Sequence, residues 1–507
     1  MFNLLFLIYG LFILGTIITV LMENRQPVKA MAWLMVLVFI PVGGIILYFF
    51  FGQNTRKQRH ISQRSLDQLS KQSMLEFVEQ KNLKFPERHR MLIQQFLNEN
   101  WALPFKDNTL DIYTSGHDFF LALLRSIGAA QDHIHISTYI MEDDPLGRLV
   151  ADALIDKARK GVEVRLIYDD VGCWRVKDAF FRRMRDAGID VQPFMPVRFP
   201  AFTSKMNYRN HRKVCVIDGR VGFIGGMNIA LRYIKGTRKQ AWRDTHLCIR
   251  GGAVYALQRT FLIDHYFVSR TLITSRRYYP PLHAPSSPSS LSPSPSSLSS
   301  SSSPSISSPL PREGLGVGPL GVGLSPLAQV VTSSPISPWP EIMQGYVRIL
   351  LEARHYVYME SPYFLPTETI LFAMRTAALS GVDVRLMVPY HADAKLVEWA
   401  SRSYLMQTLE SGVKVYLYKA GFNHSKLIVC DDSLASCGSN NIDFRSFENN
   451  FEANIFFYDE ATALKFKQIF LDDQRDCVLI TDTRHVARRP FYKRLWESLV
   501  RLLSPLL

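Results

Sequence analysis

Residues 211–228 read HRKVCVIDGRVGFIGGMN, and residues 424–441 read HSKLIVCDDSLASCGSNN. Both fit one pattern, H-x-K-x4-D-x6-G-x-x-N, with the same spacing throughout. A chain with 13 His gives roughly 0.03 chance matches to H-x-K-x4-D. Two matches that also share their Gly and Asn offsets are therefore a repeat. In the first copy Val214, Val216 and Ile217 precede the turn pair Asp218-Gly219, and Val221, Phe223 and Ile224 follow. This reads as a hairpin. In the second, Leu427, Ile428 and Val429 precede Asp431-Asp432, and Leu434 follows. Residues i and i+2 of a strand share a face. His211 and Lys213 thus project together, as do His424 and Lys426. Two such strands meeting at one pocket present two imidazoles and two ammonium groups. That set suits a phosphodiester, with cations for the phosphoryl oxygens, one His to attack and one to move protons. The candidate catalytic residues are His211, Lys213, Asp218, His424, Lys426 and Asp431.

The repetition extends outward. GVEVR at 161–165 matches GVDVR at 381–385, and IHISTY at 134–139 resembles VYMESPY at 357–363. Each half runs apolar strand, helix-like segment, Gly-Val-acid-Val-Arg strand, then motif. This is an internal duplication of an α/β unit, which predicts two halves facing each other about a pseudo-twofold axis over one shared site.

A chain of 507 residues, 47% hydrophobic, has room for two α/β domains and attachments. Its net charge of +14 favours an anionic partner, phospholipid or nucleic acid. The six Cys are scattered without metal-like pairing and read as reduced thiols on buried strands. Each motif His neighbours a cation, and no His/carboxylate cluster has ligand spacing. Neither a metal nor another cofactor is expected.

Leu4 to Met22 carries no charge and, as a helix, spans roughly 28 Å, a bilayer core. Ala30 to Phe51 is a second uncharged run, with Pro41, Gly43 and Gly44 inside it. Residues 1–52 therefore predict a two-helix transmembrane hairpin, spanning about 4–22 and 30–51. The first run lacks the basic start of a signal peptide. Arg25 and Lys29 lie between the runs, whereas Arg56, Lys57, Arg59, Arg64 and Lys71 follow them. The richer side is expected in the cytoplasm, with both termini and the catalytic body. Residues 53–108 read as a basic amphipathic connector, 109–276 as the first half, and 339–480 as the second. Between the halves, 277–338 is rich in Ser, Pro and Gly and is expected to be a disordered linker. In the tail, 481–507, Phe491, Leu495, Leu499 and Leu502 fall at helical spacing beside Lys493, Arg494 and Arg501. That pattern suits either an interfacial helix on anionic lipid or a helix docked on the body.

The paired motifs resemble the HKD motifs of the phospholipase D superfamily. The resemblance narrows to bacterial cardiolipin synthases over the whole chain except the low-complexity stretch. It rests on Asn24, Pro27, Ala32-Trp33, Pro41, Gly43, Leu47-Tyr48 and Phe51-Gly52. It also rests on YDD at 168–170, NYRNH at 207–211, WRDT at 242–245, SPYF at 361–364, DFRSF at 443–447 and LSPLL at 503–507. It implies duplicated phospholipase D-like α/β/α sandwich domains sharing one active site, in a multi-pass protein of the bacterial cytoplasmic membrane. The implied partners are phosphatidylglycerol, other anionic phospholipids and the membrane, and no nucleic acid. The implied reaction joins two phosphatidylglycerol molecules into cardiolipin and releases glycerol.

The residues alone leave either His as nucleophile; the resemblance implies His211, forming a phosphatidyl-histidine, with His424 as acid and then base. Lys213 and Lys426 would hold phosphoryl oxygens, with Asn228, Ser439 and Asn441 in support. Asp218 and Asp431 sit at turns, with a largely structural task expected. By the same resemblance Asp244 and Glu452 each orient an imidazole. The chain departs from the family pattern at Gly226, where the wider superfamily often has Ser, at Asp264-His265 in place of Asp-Trp, and in the Ser/Pro-rich insertion. Competing readings are another phospholipase D-type enzyme, a hydrolase or phosphatidylserine synthase, then a nuclease or a non-catalytic membrane scaffold. The two apolar runs argue against a nuclease, and two complete motifs argue against a scaffold.

Overall fold

The computed structural model describes residues 10–11, 13–20, 27–48, 85–197, 208–238, 240–281, 326–480, 490–501 and 504. The apolar, β-branched runs become strands and build two sheets of one design. The first contains β1 (Thr109–Tyr113), β2 (His133–Thr138), β3 (Glu163–Asp169), β4 (Asp190–Phe194), β5 (Val214–Ile217), β6 (Val221–Gly225) and β7 (His246–Arg250). Their spatial order is β1-β7-β6-β5-β2-β3-β4. The second contains β8 (Ala328–Ser333), β9 (Tyr356–Glu360), β10 (Asp383–Pro389), β11 (Lys414–Tyr418), β12 (Leu427–Cys430), β13 (Leu434–Gly438) and β14 (Asn450–Phe457). Their order, β8-β14-β13-β12-β9-β10-β11, repeats the first strand for strand. In each sheet the three strands at one end are parallel and the others antiparallel. Short strands at Pro104–Phe105 and Cys477–Leu479 extend the second sheet at its two edges.

The main helices are α1 (Pro27–Phe39), α2 (Pro41–Leu47), α3 (Arg90–Asn100), α4 (Gly116–Ala129), α5 (Pro145–Arg159), α6 (Asp178–Asp186), α7 (Ala253–Ser269), α8 (Glu341–Glu352), α9 (Glu368–Leu379), α10 (Lys395–Glu410), α11 (Glu460–Gln474) and α12 (Phe491–Arg501), with short turns of helix at Arg232–Lys235 and Phe444–Glu448. Alternation along the motif strands sorts them into layers. Val214 and Val216 of β5, with Leu427 and Val429 of β12, enter a central core shared with α7 and α11. Cys215 and Ile217 turn instead to an outer core with α4, α5 and α6. Ile428 and Cys430 turn to the equivalent core with α8 and α9. Both hairpins turn through left-handed pairs, Asp218-Gly219 (φ 52° and 61°) and Asp431-Asp432 (φ 48° and 52°). The pairings Ile217↔Val221 and Cys430↔Leu434 leave three residues in each turn, which these left-handed pairs open. The fold is thus the expected duplicated α/β arrangement with a common core between the halves.

Three boundaries differ from expectation. The connector's described part belongs to the second half: Phe96 of α3 packs 4.7 Å from the Phe456 ring, and Arg88 pairs with Asp431. Its apolar face (Leu92, Ile93, Phe96) completes that half's outer core. The ends of the 277–338 stretch are also built into the fold. Tyr278 and Tyr279 are buried, and the apolar residues of β8 pair it with β14. The second half therefore begins near 328 instead of 339, while residues 282–325 lie outside the described residues. The third concerns the apolar N-terminus. Residues 13–20 are helical, but α1 and α2 are separated at Ile40 (φ −130°, ψ 66°). Pro41 disfavours helical backbone at the residue before it. Val20, Ala30, Leu37 and Tyr48 pack together, so the chain folds back on itself. Among the described residues no helix is long and apolar enough to cross a membrane. Residues 4–9, 12, 21–22 and 49–51 of the expected spans lie outside the described residues.

Candidate active site

Two short parallel pairings between the halves build the site. Arg209–Asn210, leading into His211, runs beside Asn450–Phe451. Phe422–Asn423, leading into His424, runs beside Trp242–Arg243. The His211 amide donates to Phe451 O at 2.9 Å, and that of His424 to Arg243 O at 2.7 Å. Each motif histidine is thereby held against the residue preceding an acid of the other half. The carboxylates consequently cross over. Nδ1 of His211 lies 2.9 and 3.2 Å from the Glu452 oxygens, and Nδ1 of His424 lies 2.6 Å from Asp244 Oδ2. All four side chains are buried.

The Ser439 carbonyl stands 3.1 Å from His211 Nδ1. A carbonyl and a carboxylate can only accept, so Nδ1 carries the proton and Nε2 keeps its lone pair. At His424 the Asp244 carboxylate favours the same tautomer, while the Lys426 ammonium at the same nitrogen opposes it. Lys213 Nζ donates to His211 O at 2.6 Å. Lys426 Nζ donates to His424 O and lies 3.0 Å from its Nδ1. Each lysine therefore curls back beside its own histidine, as the i, i+2 spacing anticipates.

Electrostatics in this site are crowded. Burial brings His211 down to about 4 against the pull of Glu452, and Lys213 acts in the same direction as burial. Burial, then Lys426 and Lys213, holds His424 well below the ordinary imidazole value. Burial also lowers Lys213 and Lys426. It raises Asp244, whereas in Glu452 the opposing pull of His211 and Lys213 wins and keeps the carboxyl low. With only the protein's own charges around them, burial and the lysines disfavour the imidazolium at both histidines. An added anion beside His424 would oppose that effect.

The supporting residues have other partners. The Ser439 hydroxyl donates to Glu452 Oε2, so it braces the carboxylate. Asn228 donates to Tyr233 Oη at 2.7 Å and accepts from the Ile140 amide at 3.1 Å. Asn441 donates to Asp443 Oδ2 at 3.0 Å. Each amide therefore uses a hydrogen within the protein, and no more than its second remains for a phosphate. Gly226, at the place of Ser439, has a physical reason: a Cβ there would overlap Oδ1 of Asp244. Glu452 is one methylene longer than Asp244 and leaves room for a hydroxyl. His265, the other departure, is satisfied by Asp190 Oδ2 at 2.8 Å.

Asp218 and Asp431 stand at the far ends of β5 and β12 from the histidines, at the turns for which a structural task is expected. Asp218 accepts from the amides of Gln131, Asp132 and His133 at 2.9, 2.7 and 3.0 Å. Asp431 accepts from those of Arg354, His355 and Tyr356 at 2.8, 2.9 and 2.8 Å. Each carboxylate ties the motif hairpin to the start of the neighbouring antiparallel strand, β2 or β9. Asp431→Ala should destabilise the protein by about 3 kcal/mol, since leaving a buried partner unmade costs about 1–3 kcal/mol each. Activity per folded molecule should persist; a normal melting temperature with lost turnover would return Asp431 to the chemistry.

Sequence reading overlooked the aromatic walls. The Tyr139 ring lies 5.0 Å from that of His211, and Trp242 and Tyr363 lie 5.4 and 6.4 Å from His424. The signal was present, because Tyr139 and Tyr363 close the two repeated strand segments. Also unread was Arg212, between His211 and Lys213. It pairs with Asp264 and donates to Glu452 O at 3.0 Å, fastening the halves together.

The chain matches the family model described as "Cardiolipin synthase, PLD-like domain" over residues 123–242 and 346–474. Residues 11–53 match "Phospholipase_D-nuclease N-terminal". It is 38% identical to the major cardiolipin synthase ClsA of Bacillus subtilis, covering 99% of both chains. It is 35% identical to a cardiolipin synthase of Listeria monocytogenes, covering 97% of this chain and 96% of the relative. In fold it is similar to phosphatidylserine synthase of Haemophilus influenzae, with a TM-score of 0.59 and 13% identity over 82% of this chain and 100% of that one. Paired motifs, crossed carboxylates and identity along nearly the full length agree: the chain belongs to the bacterial cardiolipin synthases of the phospholipase D superfamily.

Proposed function

We infer that this enzyme is a phosphatidyltransferase that makes cardiolipin from two molecules of phosphatidylglycerol and releases glycerol. The observation that carries the reading is the pair of buried imidazoles, each held at Nδ1 by a carboxylate of the opposite half, in a chain similar to cardiolipin synthases throughout. In the proposed course, Nε2 of His211 attacks phosphorus and the P–O bond to glycerol breaks. His424 gives its proton to the departing glycerol oxygen. The neutral His424 then takes the proton of a second lipid's glycerol hydroxyl, which attacks phosphorus and frees His211. Lys213 and Lys426 stabilise the phosphoryl oxygens.

The depressed imidazoles fit this scheme. A phosphodiester brings one negative charge among the lysines and histidines. That charge raises their proton affinities, so the lipid recruits the proton that the first step spends. Asn228 and Asn441, with one amide hydrogen each to spare, would complete the phosphate's shell.

The proposal places the enzyme at the cytoplasmic membrane, anchored by the apolar N-terminus as a helical hairpin, with the catalytic body on the cytoplasmic side. Support comes from Leu14, Ile18, Met35, Val38 and Phe39, which are largely exposed around the small core at Val20 and Leu37. Purified enzyme given phosphatidylglycerol vesicles alone should form cardiolipin and glycerol in equal amounts. Phosphatidic acid as the main product would instead mean hydrolysis.

A further inference from the structure

Helix α12 is amphipathic in an unusual orientation. Its contact with the body runs through Glu497 and Val500, which are buried, through Ser504 beyond it, and through the Trp496 and Arg501 side chains, 5.9 Å from the Trp399 ring and 5.6 Å from that of Tyr404. These hold it on α10: Val500 packs with Ala400 and Leu365, and Tyr404 Oη bonds Ser504 Oγ at 3.3 Å. Its apolar stripe faces outward. Tyr492, Leu495, Trp496 and Leu499 are 66, 48, 49 and 49% exposed. At 100° per residue these four fall on one side, with Lys493 exposed along the flank. An outward stripe of this kind requires an apolar cover.

The stripe is tied to the active-site mouth. Leu365, in the core beneath α12, pairs with Asp443, two residues beyond Asn441. Tyr363, two residues earlier, joins Asp393 at 2.8 Å, just ahead of α10, to the wall of the His424 site. The matching region of the first half, the loop between β3 and α6, exposes Trp174 by 75% with the Arg175 guanidinium against its ring. Asp169 anchors that loop beside the other histidine. It accepts from Val171 and Gly172 at 3.0 Å and from Asn210, the residue before His211, at 2.9 Å. Both halves thus carry an exposed tryptophan and basic residues on elements joined by hydrogen bonds to the surroundings of the motif histidines.

We propose that the outward face of α12, with Trp174 across the mouth, is a docking surface for an anionic bilayer that lays the active site on the lipid headgroups. The occupant follows from charge and chemistry. Exposed Trp, Tyr and Leu flanked by Lys and Arg match the boundary of headgroups and acyl chains. This rests on the proposed function, whose substrates lie in that layer and carry the complementary charge.

The test uses the full-length enzyme and the double variant Leu495→Asp with Leu499→Asp. Two substrates are compared: long-chain phosphatidylglycerol in vesicles, and short-chain phosphatidylglycerol below its micellar concentration. Turnover on vesicles should fall at least tenfold, while turnover on the monomeric lipid stays within twofold. Equal turnover on vesicles, equal losses on both substrates, or a monomeric state gained from a wild-type oligomer would overturn the docking surface. Absence of cardiolipin from wild-type enzyme with either substrate would instead sink the functional reading. A gentler arm keeps the fold: vesicles with brominated acyl chains should quench the emission lost in Trp496→Phe. If that emission is not quenched, the helix does not reach the bilayer.

Discussion

Replacing His211 or His424 with Ala removes cardiolipin synthesis to background in either single variant, with the fold intact. Each imidazole is the sole proton or phosphoryl carrier of its half-reaction, so neither can cover for the other. The two are fixed by backbone bonds to opposite halves, His211 to Phe451 and His424 to Arg243, and neither half alone contains a complete histidine–carboxylate pair. The check is the rate of cardiolipin formation beside the melting temperature of each variant. Retention of more than about a tenth of the rate, a loss under about 1.4 kcal/mol, contradicts a shared site.

Neutralising the crossed acids comes next in size. Glu452→Gln and Asp244→Asn should each lower kcat by about 10²–10⁴, the range seen when the acid orienting a catalytic imidazole is made an amide. KM should change far less. The pH profile separates this role from simple packing. An anion beside Nδ1 favours the imidazolium, so its removal lowers the histidine's proton affinity. In Asp244→Asn the protonated acid at His424 is then lost at lower pH, and the deficit should widen as pH rises. A uniform loss at every pH, or a loss confined to KM, would indicate a structural task. Ser439 adds a contrast, since its hydroxyl braces Glu452 while Gly226 offers Asp244 none.

The fold was legible because the duplication is written in strands. Spacing from His to Asp fixes a four-residue strand and its turn, and alternation fixes which residues enter the central core. The histidines and lysines were legible for the same reason, i and i+2 on one face. What spacing does not carry is pairing between halves. Nothing local tells that Glu452 serves His211 and Asp244 serves His424, because the crossing arises from two short parallel pairings remote in sequence. Nor does a motif state which of its polar atoms point inward. Ser439 and the Asn residues looked free for phosphate, yet each is engaged within the protein. Composition misplaced the ends of the 277–338 stretch, since a Ser- and Pro-rich average hides the β8 strand at 328–333. It also joined α1 to α2 across Ile40, where a single proline decides the backbone.

The central claim is that the phosphatidyl group rests on His211 while His424 moves the protons. Rapid denaturation of the enzyme during turnover on labelled phosphatidylglycerol, followed by peptide mass spectrometry, tests it most directly. The account predicts a phosphatidyl adduct on the peptide containing His211, accumulating when the second lipid is withheld and absent from His211→Ala. An adduct on His424, or steady turnover with no adduct on either histidine, would contradict it.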